Sequence, residues 1–350
     1  MTKQPLTVFS TDWHIKDDNV EEIVDLIRQQ CELAKKLGVK MLICLGDVFN
    51  SRKSQTLLCL NTFGRILDII QENGLILYCI PGNHDKTDYE SEESFLDSFQ
   101  HHPNLFLIRL AAGVPFKEHN LFLHLIPFFK EEIWLNKYQD LKDYLGKFNK
   151  DEIHILCSHI AVVGSRNNDG TRIDNGISPT IFKAFDSVLL GHYHDMQQPA
   201  KNIFHLPSIQ QNNFGENSEK GFTVLYSDGS HELVKSKFKE YIKVKIDVDK
   251  VSKKELNDLV TEYSDKTKDN YVRFILEGTE DKIKSLNKDV LQSSGIDIKT
   301  VNKEIENVSV DFDTVEIKKY TKDDLLDEFQ MFCEEYDKDC EEGIKYLNTI

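Results

Sequence analysis

Residues 75–85 read LILYCIPGNHD, an apolar run that ends in an amide, an imidazole and a carboxylate. Gly-Asn is ordinary turn chemistry and Asp readily caps a helix, so one such stretch is a weak signal. Four other strand-like apolar runs end in a similar way. They lead into Asp12-Trp13-His14, Gly46-Asp47, Ser158-His159 and Gly191-His192-Tyr193-His194. Five such runs, separated by amphipathic segments, predict a layered α/β fold.

The polar side chains after these runs are expected to converge. Open α/β sheets bind ligands in the crevice beyond the carboxyl ends of their strands. Carboxylate, amide and imidazole groups suit manganese, iron or zinc, and none of the five clusters contains a thiolate. The candidates are too many for one catalytic metal that keeps a position open, so two ions are predicted. The seven candidate ligands are Asp12, His14, Asp47, Asn83, His159, His192 and His194.

The order D-x-H, G-D, G-N-H-D, a lone His and G-H-x-H resembles the calcineurin-like metallophosphoesterase family. The resemblance implies an α/β fold, a four-layer β-sandwich flanked by helices. It assigns one metal to Asp12, His14, Asp47 and His194, and the other to Asp47, Asn83, His159 and His192. It leaves His84 unligated, as a catalytic group that donates a proton or a hydrogen bond. We expect Asp85 to orient the His84 ring.

Segments further along the chain resemble the SbcD-type branch of this family, the nuclease subunits of double-strand-break repair complexes. They are 185–194, Leu206-Pro207-Ser208, Phe214-Gly215-Glu216 and Lys220-Gly221-Phe222. This resemblance, which extends to phage recombination nucleases, implies a manganese nuclease for double-stranded DNA ends. It also implies an SbcC-type coiled-coil ATPase partner and a homodimer. Several relatives carry a His where this chain has Asn50, so cleavage polarity and the balance of exonuclease and endonuclease action are not implied.

Two amphipathic helices are predicted between the first three clusters. One spans about residues 19–37, with Asn19 as its cap and Gly38 at its end. The other spans about residues 55–73. Both are expected to pack on the sheet without taking part in chemistry.

Changes in charge and in the pattern of predicted strands and helices divide the chain into three parts. Residues 1–238 form the metallophosphoesterase domain, and residues 239–319 form a small α+β domain that, by the resemblance, caps the site and guides DNA. Residues 320–350 are expected to form helices that bind the ATPase partner. The alternative is a C-terminal helix folded back on its own domain. The apolar positions proposed for partner binding are Leu325, Phe329, Phe332, Tyr336, Ile344 and Leu347.

The composition restricts how this chain would hold DNA. Its net charge of −16 is opposite to the basic face that nucleic-acid binders usually carry, so a partner is expected to supply most of the grip on DNA. The seven cysteines form no C-x-x-C pair, which is typical of a reducing cytosol. No signal peptide or membrane span is predicted, so a cytoplasmic location is expected.

Two other functions fit part of the sequence. The five shared motifs alone also suit a phosphomonoesterase or a cyclic-nucleotide phosphodiesterase, but the segments around 214–222 and the C-terminal apolar stripe do not. A weakly catalytic scaffold that regulates an ATPase is the third possibility. The complete set of seven candidate ligands argues against that scaffold.

Overall fold

The computed structural model describes residues 3–145, 151–167, 170–286 and 294–303. Two six-stranded mixed sheets and a smaller three-stranded sheet make up its β-structure. The predicted partner-binding residues between 320 and 350 lie outside the described ranges. No helix in the described ranges is long and apolar enough to span a membrane.

The first sheet has the strand order β12-β11-β1-β2-β3-β4. Strands β1 to β4 run parallel, whereas β11 and β12 complete one edge in antiparallel fashion. Helices α1 and α2 form the crossovers between its first three strands. The elements are β1 (Pro5–Ser10), α1 (Val20–Leu37), β2 (Met41–Cys44), α2 (Leu57–Glu72), β3 (Ile76–Cys79), β4 (Leu105–Leu107), β11 (Gly221–Tyr226) and β12 (His231–Lys235).

The second sheet has the order β5-β6-β7-β8-β10-β9, with β6, β7, β8 and β10 parallel. Helix α3 leads from β6 towards β7. These elements are β5 (Ala112–Phe116), β6 (Leu121–Ile126), α3 (Glu131–Leu145), β7 (Ile153–His159), β8 (Ser187–Gly191), β9 (Gln197–Ala200) and β10 (Ile203–His205).

Alternate residues of each central strand face opposite layers, which explains why these strands are apolar throughout. In β1, Val8 packs in the core that contains α1 and α2, whereas Phe9 packs between the two sheets. In β7, Ile155 faces the core between the sheets and Leu156 faces the core beside α3. The predicted four-layer α/β sandwich is therefore confirmed.

Both predicted helices form, with one difference in capping. Helix α1 ends at Gly38, whose φ of 71° is left-handed. Asn19 occupies the N-cap position, but its side chain does not cap the helix. Its Oδ1 instead accepts from the backbone N–H of Lys16 at 2.9 Å and its Nδ2 donates to the carbonyl oxygen of His14 at 3.0 Å. Asn19 therefore braces the loop that carries His14.

The third sheet is parallel and follows residue 240, within the range that the sequence assigns to a small α+β domain. Its elements are β13 (Tyr241–Asp247), α4 (Lys253–Lys266), β14 (Tyr271–Gly278), α5 (Glu280–Ser285) and β15 (Asp297–Asn302). They enclose a separate core that includes Ile246, Phe274 and Leu276. The ring of Phe214 meets Tyr241 at a centroid distance of 4.9 Å and lies under the guanidinium of Arg273. The exact boundaries at residues 238 and 319 stay predictions.

Candidate metal centre

All seven candidate ligands lie together at one edge of the sandwich. Loops after β1, β2 and β3 supply four of them from the first sheet, and the end of β7 and the loop after β8 supply the other three from the second. Four of the seven, Asp47, Asn83, His192 and His194, border a cleft of about 440 Å³ that Arg52, His84 and Asn167 also line. The parallel strands thus explain how residues 180 positions apart in sequence meet.

One group of donor atoms surrounds Asp12. The Nε2 atoms of His14 and His194 lie 3.0 Å apart. Asp12 Oδ1 lies 3.8 Å from the first and 3.7 Å from the second. Asp47 Oδ2 lies 3.7 Å from His14 Nε2. These four side chains match the first predicted metal set.

A second group shares Asp47 with the first. Asn83 Oδ1 lies 3.1 Å from His159 Nε2 and 2.9 Å from His192 Nδ1. His159 Nε2 is also 3.3 Å from Asp47 Oδ2. The atom Asp47 Oδ2 therefore faces both groups, as a ligand shared between two ions would.

In both Asp12 and Asp47, one carboxylate oxygen accepts a hydrogen bond from the protein and the other faces the donor groups. Asp12 Oδ2 accepts from the Thr11 hydroxyl at 2.7 Å, and Asp47 Oδ1 accepts from the backbone N–H of His84 at 2.8 Å. Asp12 Oδ1 is buried and has no hydrogen-bond partner in the described part of the chain. An unpaired buried carboxylate oxygen is costly, and a bound cation removes that cost. The residues present therefore fit divalent ions.

Several of these residues have unusual backbone conformations. Asp12, His14, Asp47 and His192 all have positive φ values, of 54°, 49°, 53° and 92°. Non-glycine residues rarely adopt this region, and such strain concentrates at functional sites. Backbone bonds from Asp12 to Gly46 and from His14 to Asp47, both 3.0 Å, hold the loops in place. The surrounding fold therefore stabilises a strained backbone that directs these side chains into the site.

Glycine is required where these loops come closest. A Cβ at Gly82 would lie 2.2 Å from Asp47 Oδ1, and a Cβ at Gly191 would lie 2.3 Å from the Thr11 hydroxyl. Both distances are far shorter than any real contact of a Cβ atom. The glycines of the G-N-H-D and G-H-x-H motifs therefore let two loops touch directly behind the donor atoms.

Burial and neighbouring charges set the protonation of the donors. Burial holds the pKa of His14 well below its usual value and lowers that of His192 to about 3, so both present neutral rings. Burial alone would raise the pKa of Asp47, but the nearby ring of His159 holds it below its usual range. Burial alone would lower the pKa of His159, but Asp47 raises it to about 9. Because metals bind neutral imidazole and ionised carboxylate, a cation would displace the proton from that ring.

His84 lies beside the donors and is held by different partners from those predicted. Its Nδ1 is 2.5 Å from the carbonyl oxygen of Asn50, and its Nε2 is 2.8 Å from Arg52 Nη2. Nδ1–H therefore donates to Asn50, and Nε2 accepts from the guanidinium. A main-chain carbonyl is available from any residue, so the Asn at position 50 does not disturb this contact.

The expected role of Asp85 needs correction. Its carboxylate accepts from the backbone N–H groups of Val48, Phe49 and Gly82, at 3.3, 2.9 and 2.9 Å. Asp85 therefore joins the loop after β2 to the loop after β3, and the Asn50 carbonyl orients the His84 ring. Burial raises the pKa of Asp85 to about 7. The sequence alone could not reveal this role, because the three donors belong to the backbone.

The chain matches the calcineurin-like phosphoesterase family over residues 6–196, more than half of its length. It belongs to that family. The predicted family resemblance is thereby confirmed, and with it membership of a class of metal-dependent phosphoesterases. All seven donors lie within or at the edge of the matched range.

Two curated proteins are similar to the chain. A putative phosphoesterase, 244L, of Invertebrate iridescent virus 6 is 23% identical over 296 residues, which cover 80% of this chain and 96% of the viral protein. Exonuclease subunit 1 of Enterobacteria phage T4 is 25% identical over 220 residues, which cover 60% of this chain and 61% of the phage protein.

Solved structures show weaker similarity. A dimetal phosphatase from Danio rerio aligns with a TM-score of 0.38 at 13% identity, over 64% of this chain and 93% of that one. A phosphopantetheinyl hydrolase from Mycobacterium tuberculosis aligns with a TM-score of 0.35 at 9% identity, over 57% and 87% of the two chains. Neither score is high enough to carry an argument about function.

Proposed function

We propose that this chain is the nuclease subunit of a complex that processes DNA ends, with two manganese ions at the candidate metal centre. The observation that carries the proposal is the pair of donor groups that share Asp47 Oδ2. Such a pair suits the two-metal clamp used for in-line displacement at phosphorus. Manganese-dependent release of nucleotides from end-labelled duplex DNA is the direct test.

The choice of DNA over other phosphate esters rests on sequence similarity. The phage relative is named as an exonuclease subunit, and residues 185–222 carry the SbcD-type segments. Family membership alone would also suit a phosphomonoesterase or a cyclic-nucleotide phosphodiesterase. The cleft is open at its mouth and bordered by Arg52, His84 and Asn167, which suits a polymer that passes across it.

The residues around the cleft have distinct roles in the proposed reaction. The two ions, when bound, would polarise the phosphate and activate the attacking water. Arg52 holds the Nε2 side of His84, and its remaining N–H groups can bind a phosphate oxygen. When Arg52 turns to the phosphate, His84 Nε2 can take up a proton, and the imidazolium, still held at Nδ1–H by the Asn50 carbonyl, can donate that proton to the leaving oxygen. The Asn50 carbonyl keeps the His84 ring in position throughout.

The acidic surface suggests that the chain works with a partner. Net charge of −16 disfavours tight binding of DNA by the isolated chain, because affinity for DNA comes largely from neutralising its phosphates. We propose a coiled-coil ATPase of the SbcC type as that partner, and a homodimer of this chain as the nuclease unit. The three-stranded sheet, attached through Phe214, would guide DNA over the cleft.

Deletion of residues 321–350 should abolish co-purification with the cognate ATPase, because the proposed partner-binding stripe lies within them. Manganese-dependent hydrolysis of a small phosphodiester should persist, since all seven candidate ligands lie before residue 195. Co-expression with a tagged ATPase, followed by affinity capture, measures the first effect. Undiminished co-purification of the shortened chain would show that the partner binds elsewhere.

A further inference from the structure

The buried carboxylate of Glu216 contacts one of the candidate metal ligands from behind. Its Oε1 lies 2.8 Å from His194 Nδ1, while His194 Nε2 faces Asp12 and His14. An imidazole that donates Nδ1–H to a carboxylate keeps its Nε2 lone pair for a cation. Glu216 therefore fixes both the tautomer and the rotation of the His194 ring.

Burial and several hydrogen bonds fix the position of Glu216 in its loop. Its side chain has no exposed surface. Oε2 accepts from the backbone N–H of Asn212 at 3.1 Å, and Oε1 also accepts from Asn213 Nδ2 at 2.9 Å. The side chain of Gln211 donates to the Glu216 carbonyl at 2.9 Å. These bonds leave the carboxylate little freedom to move away from His194.

Lys220 provides the counter-charge and is itself fully buried. Its Nζ lies 2.9 Å from Glu216 Oε2, and it donates to the His194 carbonyl at 2.7 Å and to Asp195 Oδ1 at 2.8 Å. Lys220 thus holds His194 by its main chain while Glu216 holds it by its ring. A buried ion pair of this kind contributes little net stability compared with apolar residues, so stability does not account for its presence.

The geometry points to Glu216 as a positioning residue for His194, with Lys220 as its buried counter-ion, so that one donor of the Asp12 metal group is pre-aligned. This inference rests on the proposed metal centre. It adds two residues from beyond the matched family range of 6–196 to the machinery of that centre. Glu216 and Lys220 are four residues apart in the loop between β10 and β11.

Four full-length variants test the inference: Glu216→Gln, Lys220→Met, their combination, and Glu219→Gln as a matched control. Glu219 is exposed on the same loop and pairs with Lys235 of β12. Calorimetric titration of the metal-free proteins with manganese gives the affinity and stoichiometry, and thermal melting gives the stability. Glu216→Gln should weaken manganese binding at one of the two sites by about 10- to 100-fold. Glu219→Gln should bind manganese as the wild-type chain does.

The combined variant separates positioning from charge burial. Replacing both charges by neutral groups should reverse most of the decrease in melting temperature that either single substitution causes. Manganese affinity should stay low, because the Glu216 charge that polarises His194 is still missing. Recovery of wild-type affinity in the combined variant would overturn the inference. Unchanged affinity in Glu216→Gln alone would overturn it as well.

Two further results have defined meanings. If Glu216→Gln does not fold, Glu216→Asp keeps the charge but withdraws it from His194, and unchanged manganese affinity in that variant would refute the positioning role. Absence of manganese binding by the wild-type chain would overturn the metal centre itself. The wild-type titration therefore distinguishes failure of the proposed function from failure of the inference about Glu216.

Discussion

Asp47→Asn is expected to abolish binding of both metal ions and to reduce phosphodiester hydrolysis by at least about 10³-fold, since metal stabilisation of the transition state is worth several kcal/mol. Asp47 Oδ2 faces both donor groups. Asparagine has the same shape and keeps an oxygen that can accept from the backbone N–H of His84. The substitution therefore removes the shared ligand with little change in packing.

Metal content and hydrolysis measured on the same preparation check this prediction. Asp265→Asn is the control, because that carboxylate is 84% exposed on α4 and should have no effect. A variant at Asp47 that keeps one tightly bound ion would show that the two donor groups do not share this ligand. Wild-type turnover would exclude Asp47 from the site.

His84→Ala is expected to retain both metal ions and to lose about 10²- to 10⁴-fold in turnover, the usual contribution of a general acid–base group. His84 Nε2 lies 4.0 Å from Asp47 Oδ2 but bonds directly to Arg52. Its side chain is therefore next to the ions without being needed to hold them. The loss should appear in kcat and not in metal affinity.

Single-turnover kinetics and a manganese titration separate the two effects for His84. The exposed His101 supplies the control, and His101→Ala should behave as the wild-type chain. Loss of an ion from the His84 variant would place His84 among the metal ligands. The geometry allows that outcome, because potential ligand atoms of His14, Asp47 and His84 lie within 4.8 Å of one another. Normal turnover would remove it from the mechanism.

The sequence indicated the positions of the donors because each follows an apolar run that becomes a buried parallel strand. Asp12, Asp47 and Asn83 follow neighbouring strands of one sheet, so the topology alone brings them together. Their order carries the resemblance to the calcineurin-like family, and that resemblance implies how they divide between two metals. The fold class followed from the same runs, since strands buried on both faces are apolar throughout.

The supporting contacts were harder to predict because they involve main-chain groups or distant loops. The sequence predicts that Asp85 orients its neighbour His84, but its carboxylate bonds to three backbone N–H groups. The sequence predicts that the Asn19 side chain caps α1, but it instead bonds to the loop that carries His14. Glu216 carried a resemblance to one branch of the family, and only the structure shows that it contacts His194.

The central claim is tested most directly by incubating the chain with manganese and end-labelled double-stranded DNA, with and without the cognate ATPase and ATP. A small phosphomonoester serves as the parallel substrate. We predict that the DNA is degraded from its ends, that the ATPase and ATP increase this cleavage, and that the monoester is hydrolysed poorly. Monoester turnover without DNA cleavage under any of these conditions would contradict the assignment as a nuclease.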